Sequence, residues 1–154
     1  MSRAFVKEGD GADGEELAEL QVSPHRNLVT AEGLRQIEET VERLRAELGA
    51  ARASDDRAAV RRIQRDLRYW IERQRTAELV RPAPPTGKAR FGSAVTLGRA
   101  DGSRVVYRIV GEDEAEPARG TISWVSPIAS RLIGSAQGDT VELPDGVAEV
   151  LDIR

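Results

Sequence analysis

The 154-residue sequence contains no cysteine, and only 4% of its residues are aromatic. The absence of cysteine excludes a disulfide framework, a thiolate metal site and a cysteine nucleophile. No apolar run approaches the roughly 20 residues that a membrane span requires, and no signal-peptide pattern follows the basic residues at the start. We therefore expect a soluble, cytoplasmic protein with no membrane association.

Charged residues are abundant, at 32%, but they are unevenly distributed. Residues 1–20 carry six acidic and two basic residues, whereas residues 52–81 carry nine arginines and five acidic residues. Blocks of opposite sign indicate a charged partner surface, contacts within the molecule, or two solvated faces. Residues 1–27 have too little apolar surface to offset the entropy of ordering, so this segment is predicted to be a flexible acidic arm, with His25 as a solvated residue without a role.

Apolar residues at alternating spacings of three and four predict two helices. Thr30 is a suitable N-cap for the first helix, and Asp55 is a suitable N-cap for the second, with Asp56 in its first turn. The pattern predicts an antiparallel coiled-coil hairpin over residues 28–80, with its tip near 53–57. The heptad positions are Leu34, Ile37, Val41, Leu44 and Leu48 in the first helix, and Val60, Ile63, Leu67, Trp70, Gln74 and Ala77 in the second.

The proline-rich stretch RPAPPTGK, within residues 81–89, ends the second helix and predicts a linker. From residue 90 to residue 154, short β-branched runs are separated by turn sequences such as DG, EPARG and PDG. One short helix is predicted after Ser126, which is a natural N-cap, and Pro127 fits its first position. The fold class is therefore α+β: a helical hairpin followed by a small β domain with one short helix.

Five arginines of the second helix suggest a basic stripe. This stripe is either a surface for weak contact with nucleic acid or a solvated flank that pairs with Glu38, Glu39 and Glu42 of the first helix. The sequence shows no nucleophile–base pair, phosphate-binding loop or metal-ligand cluster, so we expect neither an enzyme nor a bound cofactor. The five arginines are Arg62, Arg65, Arg68, Arg73 and Arg75.

Several motifs together resemble the bacterial GreA/GreB transcript-cleavage factors. They are VTAEG at the start of the hairpin, FGSAVTL, YRIVGEDEAEPARGTIS and SPIASRLIGSAQGDTVELP, and the resemblance extends over about residues 28–154. It implies an FKBP-like C-terminal domain after the hairpin. It does not imply prolyl isomerase activity, because Phe91, Tyr107 and Trp124 are too few aromatic residues for an isomerase pocket.

The resemblance further implies a monomer that binds bacterial RNA polymerase at the rim of its secondary channel. In this family the hairpin points toward the polymerase active site, where acidic tip residues help to hold a Mg²⁺ ion that belongs to the polymerase. The partner-binding residues that the resemblance implies here are Asp113, Glu114, Ser126 and Pro127.

The tip, ASDDRAAV, departs from the family pattern in two ways. The cleavage-competent pattern D-L-x-E-N has a second acid three residues after the first, but Ala58 and Ala59 occupy the corresponding places here. Each helix also lacks about ten residues, which corresponds to about 15 Å of reach. Three interpretations of Asp55 and Asp56 remain open. They are a structural helix cap, part of a tip that contacts polymerase without catalysis, or a weak candidate pair for positioning Mg²⁺.

These observations predict a Gre-like regulator of transcription elongation that binds RNA polymerase and adds little or no cleavage activity. One alternative is a transcript-cleavage factor that acts through Asp55 and Asp56. A second alternative is a coiled-coil module that binds another protein.

Overall fold

The computed structural model describes residues 17–154, and the first two regular helices form the predicted hairpin. Helix α1 spans Ala31–Ala53 and helix α2 spans Arg57–Thr76. At 1.5 Å per residue the two helices are about 34 Å and 30 Å long. Thr30 caps α1 as predicted, because its hydroxyl accepts a hydrogen bond from the Gly33 N–H at 3.0 Å.

Apolar side chains at the heptad positions hold the two helices together. Ile37, Val41 and Leu44 of α1 are at most 5% exposed, and Ile63 of α2 is 6% exposed. Burial continues toward the tip through small residues such as Ala51, which allow the helices to approach closely. Among the helices in residues 17–154, none is long and apolar enough to cross a membrane.

A parallel strand pair at the base of the hairpin was not predicted. Strand β1, Asn27–Val29, precedes α1, and strand β2, Ala77–Leu79, follows α2. The register pairs Asn27 with Ala77 and Val29 with Leu79. The arm predicted over residues 1–27 therefore ends in a strand. Most of that prediction, residues 1–16, lies outside the described part of the chain.

The remaining segment before β1 has no regular secondary structure, but it contacts both parts of the molecule. Glu19 pairs with Arg68 of α2, and Arg26 pairs with Glu78 of β2. The His25 ring meets Trp124 edge-on, with 6.3 Å between the ring centroids. His25 is an exposed loop residue, as predicted, and the flexibility of the arm stays a prediction.

The C-terminal domain contains a five-stranded sheet in the order β5-β4-β3-β7-β6. Neighbouring strands are antiparallel except β4 and β5, which are parallel. Ala89 is 2% exposed and lies in the core of this domain, so the domain begins within the segment that was predicted as linker. The strands are β3 Ala94–Arg99, β4 Arg104–Val110, β5 Thr121–Ser123, β6 Thr140–Leu143 and β7 Gly146–Ile153.

Inward-facing residues of the sheet pack against the short helix α3, Pro127–Leu132. Val95, Leu97 and Ile109 of the sheet and Leu132 of α3 are all fully buried. The alternation of buried and exposed residues along β6 and β7 is the period-two pattern that predicted strands. The α+β fold class, a helical hairpin followed by a β-sheet domain with one short helix, is confirmed.

Candidate functional site

The hairpin tip consists of Ser54, Asp55 and Asp56 between the two helices. Asp56 is the N-cap of α2, because its Oδ1 accepts a hydrogen bond from the Ala59 N–H at 3.0 Å. Asp55 instead adopts a left-handed conformation with φ of 53°. The prediction that Asp55 caps the helix was therefore wrong by one residue. The reason is that the left-handed residue is needed to close the turn, and aspartate tolerates this conformation better than most residues.

The two tip carboxylates consequently have different environments. The Asp55 side chain is 87% exposed, and its nearest cationic partner is the Nε of Arg57 at 3.9 Å. One oxygen of Asp56 is engaged by the helix backbone. Within residues 17–154 no cluster of three or more histidine and acidic residues could hold a metal ion. The tip therefore presents one largely exposed carboxylate, that of Asp55, together with the remaining oxygen atom of Asp56.

The N-cap assignment predicts opposite effects for substitutions at the two tip residues. Asp56→Ala removes the cap of α2 and should lower the free energy of unfolding by about 1 kcal/mol. Asp55→Gly should be neutral or stabilising by up to about 1 kcal/mol, because glycine adopts the left-handed conformation without strain. Urea unfolding followed by circular dichroism measures both. If Asp55→Gly were the more destabilising substitution, the assignment of the cap to Asp56 would be incorrect.

The acidic loop after β4 faces the base of the hairpin. Its residue Asp113 accepts hydrogen bonds from the Tyr69 hydroxyl at 2.5 Å and from the Nε of Arg73 at 2.5 Å. Glu114 accepts a hydrogen bond from the hydroxyl of Thr30, the N-cap of α1, at 2.5 Å. The structure places both residues in contacts between the hairpin and the β domain, and their predicted binding to a partner stays a prediction.

Arg73 lies at the centre of this junction. Its side chain is 1% exposed, and it contacts Asp113, which is 11% exposed, and Glu112, whose Oε2 is 3.6 Å from the Arg73 Nη2. Its backbone carbonyl accepts a hydrogen bond from the Asn27 side chain at 2.7 Å. A guanidinium removed from water requires such paired carboxylates, because an isolated buried charge is strongly unfavourable.

Burial at the junction also changes the acidity of Tyr69. Desolvation, with an added contribution from the hydrogen bond to Asp113, raises the pKa of Tyr69 to about 12. The phenol therefore remains protonated through the neutral range and acts as a hydrogen-bond donor to Asp113. Together Tyr69 and Arg73 supply the two donors that hold this carboxylate against α2.

Two close approaches complete the junction. A Cβ on Gly111 would lie 2.5 Å from the backbone oxygen of Leu28 in β1. A Cβ on Gly33 would lie 2.5 Å from the Oε2 of Glu114. Glycine at both positions therefore allows the acidic loop to contact the start of the hairpin directly.

The other two predicted partner-binding residues lie at the start of α3. The Ser126 hydroxyl caps this helix by accepting a hydrogen bond from the Ala129 N–H at 3.2 Å, as predicted. Pro127 occupies the first helical position and is exposed. The chain just before them is attached to β4, because the Trp124 N–H donates to the Val110 carbonyl at 2.9 Å. Of the four predicted partner-binding residues, Pro127 is the exposed one.

The basic stripe predicted on α2 is only partly formed. Arg73 belongs to the junction, Arg65 pairs with Asp66, and Arg75 pairs with Glu72 of its own helix. In the part of the chain that the structure describes, the expected pairing of these arginines with Glu38, Glu39 and Glu42 does not occur. Glu39 and Glu42 instead pair within α1, with Arg35 and Arg45.

Sequence reasoning missed Arg73 and Asn27 as junction residues and did not connect Thr30, the predicted N-cap, with the β domain. One signal was available in the heptad pattern, where polar Gln74 follows Trp70 in a position that should be apolar. A polar residue there indicates that the apolar seam ends, and hence that other contacts hold the base of the hairpin.

Comparisons with known proteins identify the C-terminal domain. Residues 84–154 match the family model described as the C-terminal part of transcription elongation factor GreA/GreB. The chain is 39% identical over 95 residues to transcription elongation factor GreB of Neisseria meningitidis, a match that covers 59% of this chain and 58% of that protein. It is 51% identical over 69 residues to transcription elongation factor GreA of Legionella pneumophila, a match that covers 43% of each.

Solved structures that match the chain include GreA factor homolog 1 (Gfh1) of Thermus thermophilus. That match has 21% identity and a TM-score of 0.41, and it covers 84% of this chain and 99% of that one. A GreA/GreB factor from Nitrosomonas europaea matches with 17% identity and a TM-score of 0.39, over 82% of this chain and 97% of that one.

The curated relatives that the chain matches in part are named transcription elongation factors. The similarity to the GreA/GreB family model is confined to residues 84–154, the C-terminal domain. The chain spans about half the length of the curated relatives that it matches.

Proposed function

We propose that this protein binds bacterial RNA polymerase at the rim of the secondary channel and modulates transcription elongation while adding little transcript cleavage. The match of residues 84–154 to the GreA/GreB family model supports polymerase as the partner. The protein then acts on the activity of the polymerase and has no active site of its own.

The geometry of the tip is the observation that carries the proposal of little cleavage. Holding a second Mg²⁺ requires carboxylate oxygens at about 2.0–2.1 Å from the ion. Here one oxygen of Asp56 is committed to capping α2, and Asp55 remains as the freely exposed acid. The family resemblance also implies that each helix is about 15 Å shorter than in the transcript-cleavage factors. Side-chain rotation cannot close such a gap.

Docking is proposed to use the surface that Pro127 exposes at the start of α3. Ser126 supports this surface by capping the helix. Asp113 and Glu114 contribute indirectly, because their bonds to the hairpin fix its position relative to the β domain.

The proposal predicts binding without strong cleavage in elongation complexes stalled in a backtracked state. The chain should bind these complexes and change the rate of elongation, while RNA cleavage stays near the intrinsic level of the polymerase. Binding is measured by fluorescence anisotropy and cleavage by gel analysis of labelled RNA. Pro127→Glu should weaken binding because it places a charge on the docking surface, whereas Pro82→Glu in the exposed linker is the matched control.

Robust cleavage would favour the alternative function if it disappeared in the double variant Asp55→Asn/Asp56→Asn. Asparagine still caps helices and tolerates the left-handed conformation, so this variant removes the charges while preserving the turn. Unchanged binding by Pro127→Glu would contradict the docking surface but not the similarity of residues 84–154 to the GreA/GreB family model.

A further inference from the structure

The outer face of the five-stranded sheet, the side opposite α3, is exposed. Leu97 of β3 points into the core, so its neighbours Thr96 and Gly98 point outward. The same alternation along β4 and β7 places Val106 and Val147 on this face. Their exposures of 52% and 55% are the highest of the large apolar residues in residues 17–154. In the single chain, the outer face therefore presents apolar side chains to solvent.

Charges divide the outer face into two halves. Arg104 and Arg108 lie on β4, and both are exposed and without an ion-pair partner in the described range, residues 17–154. Glu149 lies on β7, is exposed, and likewise has no ion-pair partner among these residues. The register pairs Gly98 with Arg104 on one side and with Glu149 on the other. A basic strand and an acidic strand thus flank β3 at equal distances, about 4.8 Å on each side.

The middle of the outer face is apolar. Gly98 has no side chain, and a Cβ there would lie 2.9 Å from the Cδ1 of Leu151. The register of β3 with β7 shifts between Thr96 and Leu97, and the residue that this β-bulge leaves unpaired is Leu151. Leu151 therefore covers Gly98 on the outer face. Val106, which pairs with Thr96, extends this apolar centre onto the basic strand.

This arrangement is complementary to itself about a two-fold axis. If the axis runs above β3 and parallel to it, β4 of one copy faces β7 of a second copy. Arg104 then faces Glu149 of the second copy, and the symmetry forms this contact twice. Val106 faces Leu151 of the second copy, again twice. An axis across the strands would instead place β4 on β4, with arginine opposite arginine.

We propose that the outer face of the sheet is the interface of a weak homodimer, in which β4 of each copy packs on β7 of the other. The face measures about 24 Å by 20 Å, so two copies would bury about 1,000 Å² in total. This area is at the low end for specific interfaces, so the dimer forms reversibly and its charge pairs weaken at high salt. The monomer implied by the family resemblance is then the form that dominates at low concentration.

The homodimer does not depend on the proposed docking to polymerase. Helix α3 packs against the inner face of the sheet, so pairing through the outer face leaves Pro127 exposed. Loss of self-association and loss of polymerase binding are therefore separate outcomes that separate variants cause.

Sedimentation velocity of the full chain over a wide range of concentration tests the homodimer. The sedimentation coefficient should rise toward that of a dimer as the concentration increases, and the rise should be smaller at high salt. Arg104→Glu and Glu149→Arg should each weaken association by about tenfold or more, because each brings like charges together at both contacts. Arg62→Glu, which reverses an exposed charge on α2, is the matched control and should associate like the unmodified protein.

Mixing the two variants tests the pairing itself. In a mixed dimer of Arg104→Glu and Glu149→Arg chains, each of the two contacts again joins one acidic and one basic side chain. Equimolar mixing should therefore restore association, and the double variant Arg104→Glu/Glu149→Arg should associate on its own. Restored association would also show that both variants are folded. An unmodified chain that stays monomeric at every concentration, a single variant that associates normally, or a mixture that does not associate would overturn the proposal.

Discussion

Arg73→Ala should lower the free energy of unfolding by about 3–5 kcal/mol, because it leaves buried carboxylates without their counter-charge. The Arg73 side chain is 1% exposed and that of Asp113 is 11% exposed, so solvent provides little compensation. Arg75→Ala is the matched control on the same helix. Its side chain is 69% exposed and pairs with Glu72 at the surface, so its loss should cost about 1 kcal/mol or less.

A double-mutant cycle separates the ion pair from the other roles of the two residues. Asp113→Ala alone should also be strongly destabilising, since it leaves Arg73 buried beside Glu112 only. The double variant Arg73→Ala/Asp113→Ala should be less destabilised than the sum of the single variants, because neither member of this pair is left without the other, and Glu112 loses Arg73 just as it does in the single variant. Chemical denaturation with both fluorescence and circular dichroism measures all three. Additive effects would show that the two side chains contribute independently and would contradict the proposed ion pair.

The same residues show why the junction could not be predicted from the sequence. Heptad spacing fixes which residues of α1 and α2 face each other, because that pattern is local and repeats along each helix. It contains no information about Asp113, which lies 40 residues after Arg73. Because Arg73 stands next to the polar heptad residue Gln74, the sequence alone indicates a residue on a solvated flank. Only the position of the β domain shows that Arg73 is buried.

The hairpin and the β domain were predictable to a greater extent. Apolar residues at alternating spacings of three and four predicted both helices. Runs in which apolar and polar residues alternate, bounded by turn sequences, predicted the five strands of the C-terminal domain. Strands β1 and β2 were missed because each has three residues and their pairing is parallel between distant segments. Such short strands are stabilised by the hairpin that brings them together rather than by their own sequence pattern.

At the tip, the sequence predicted the position of the turn but not the conformation within it. Either adjacent aspartate can act as an N-cap by residue type. The choice depends on which residue must adopt the left-handed conformation to reverse the chain, and this is Asp55. The assignment of the cap matters for function because it decides which carboxylate remains unengaged.

Gly111→Ala should be the second strongly destabilising change, with a loss of about 1–3 kcal/mol from overpacking. The added Cβ would lie 2.5 Å from the backbone oxygen of Leu28, so strand β1 would have to move. A backbone strand cannot rotate away as a side chain can. At Gly33, by contrast, the nearest atom is the end of the flexible Glu114 side chain, so Gly33→Ala should cost less.

Gly49→Ala is the matched control and should have the opposite sign. Gly49 lies within helix α1, and a Cβ there would meet no atom within 4 Å. Alanine should therefore stabilise the protein by about 0.5–1 kcal/mol, because it is a better helix former and restricts the unfolded chain. Thermal and urea unfolding of the three variants measure these differences. A Gly111→Ala variant as stable as the unmodified protein would mean that the acidic loop does not press against β1, and the junction would then depend on its hydrogen bonds and ion pairs.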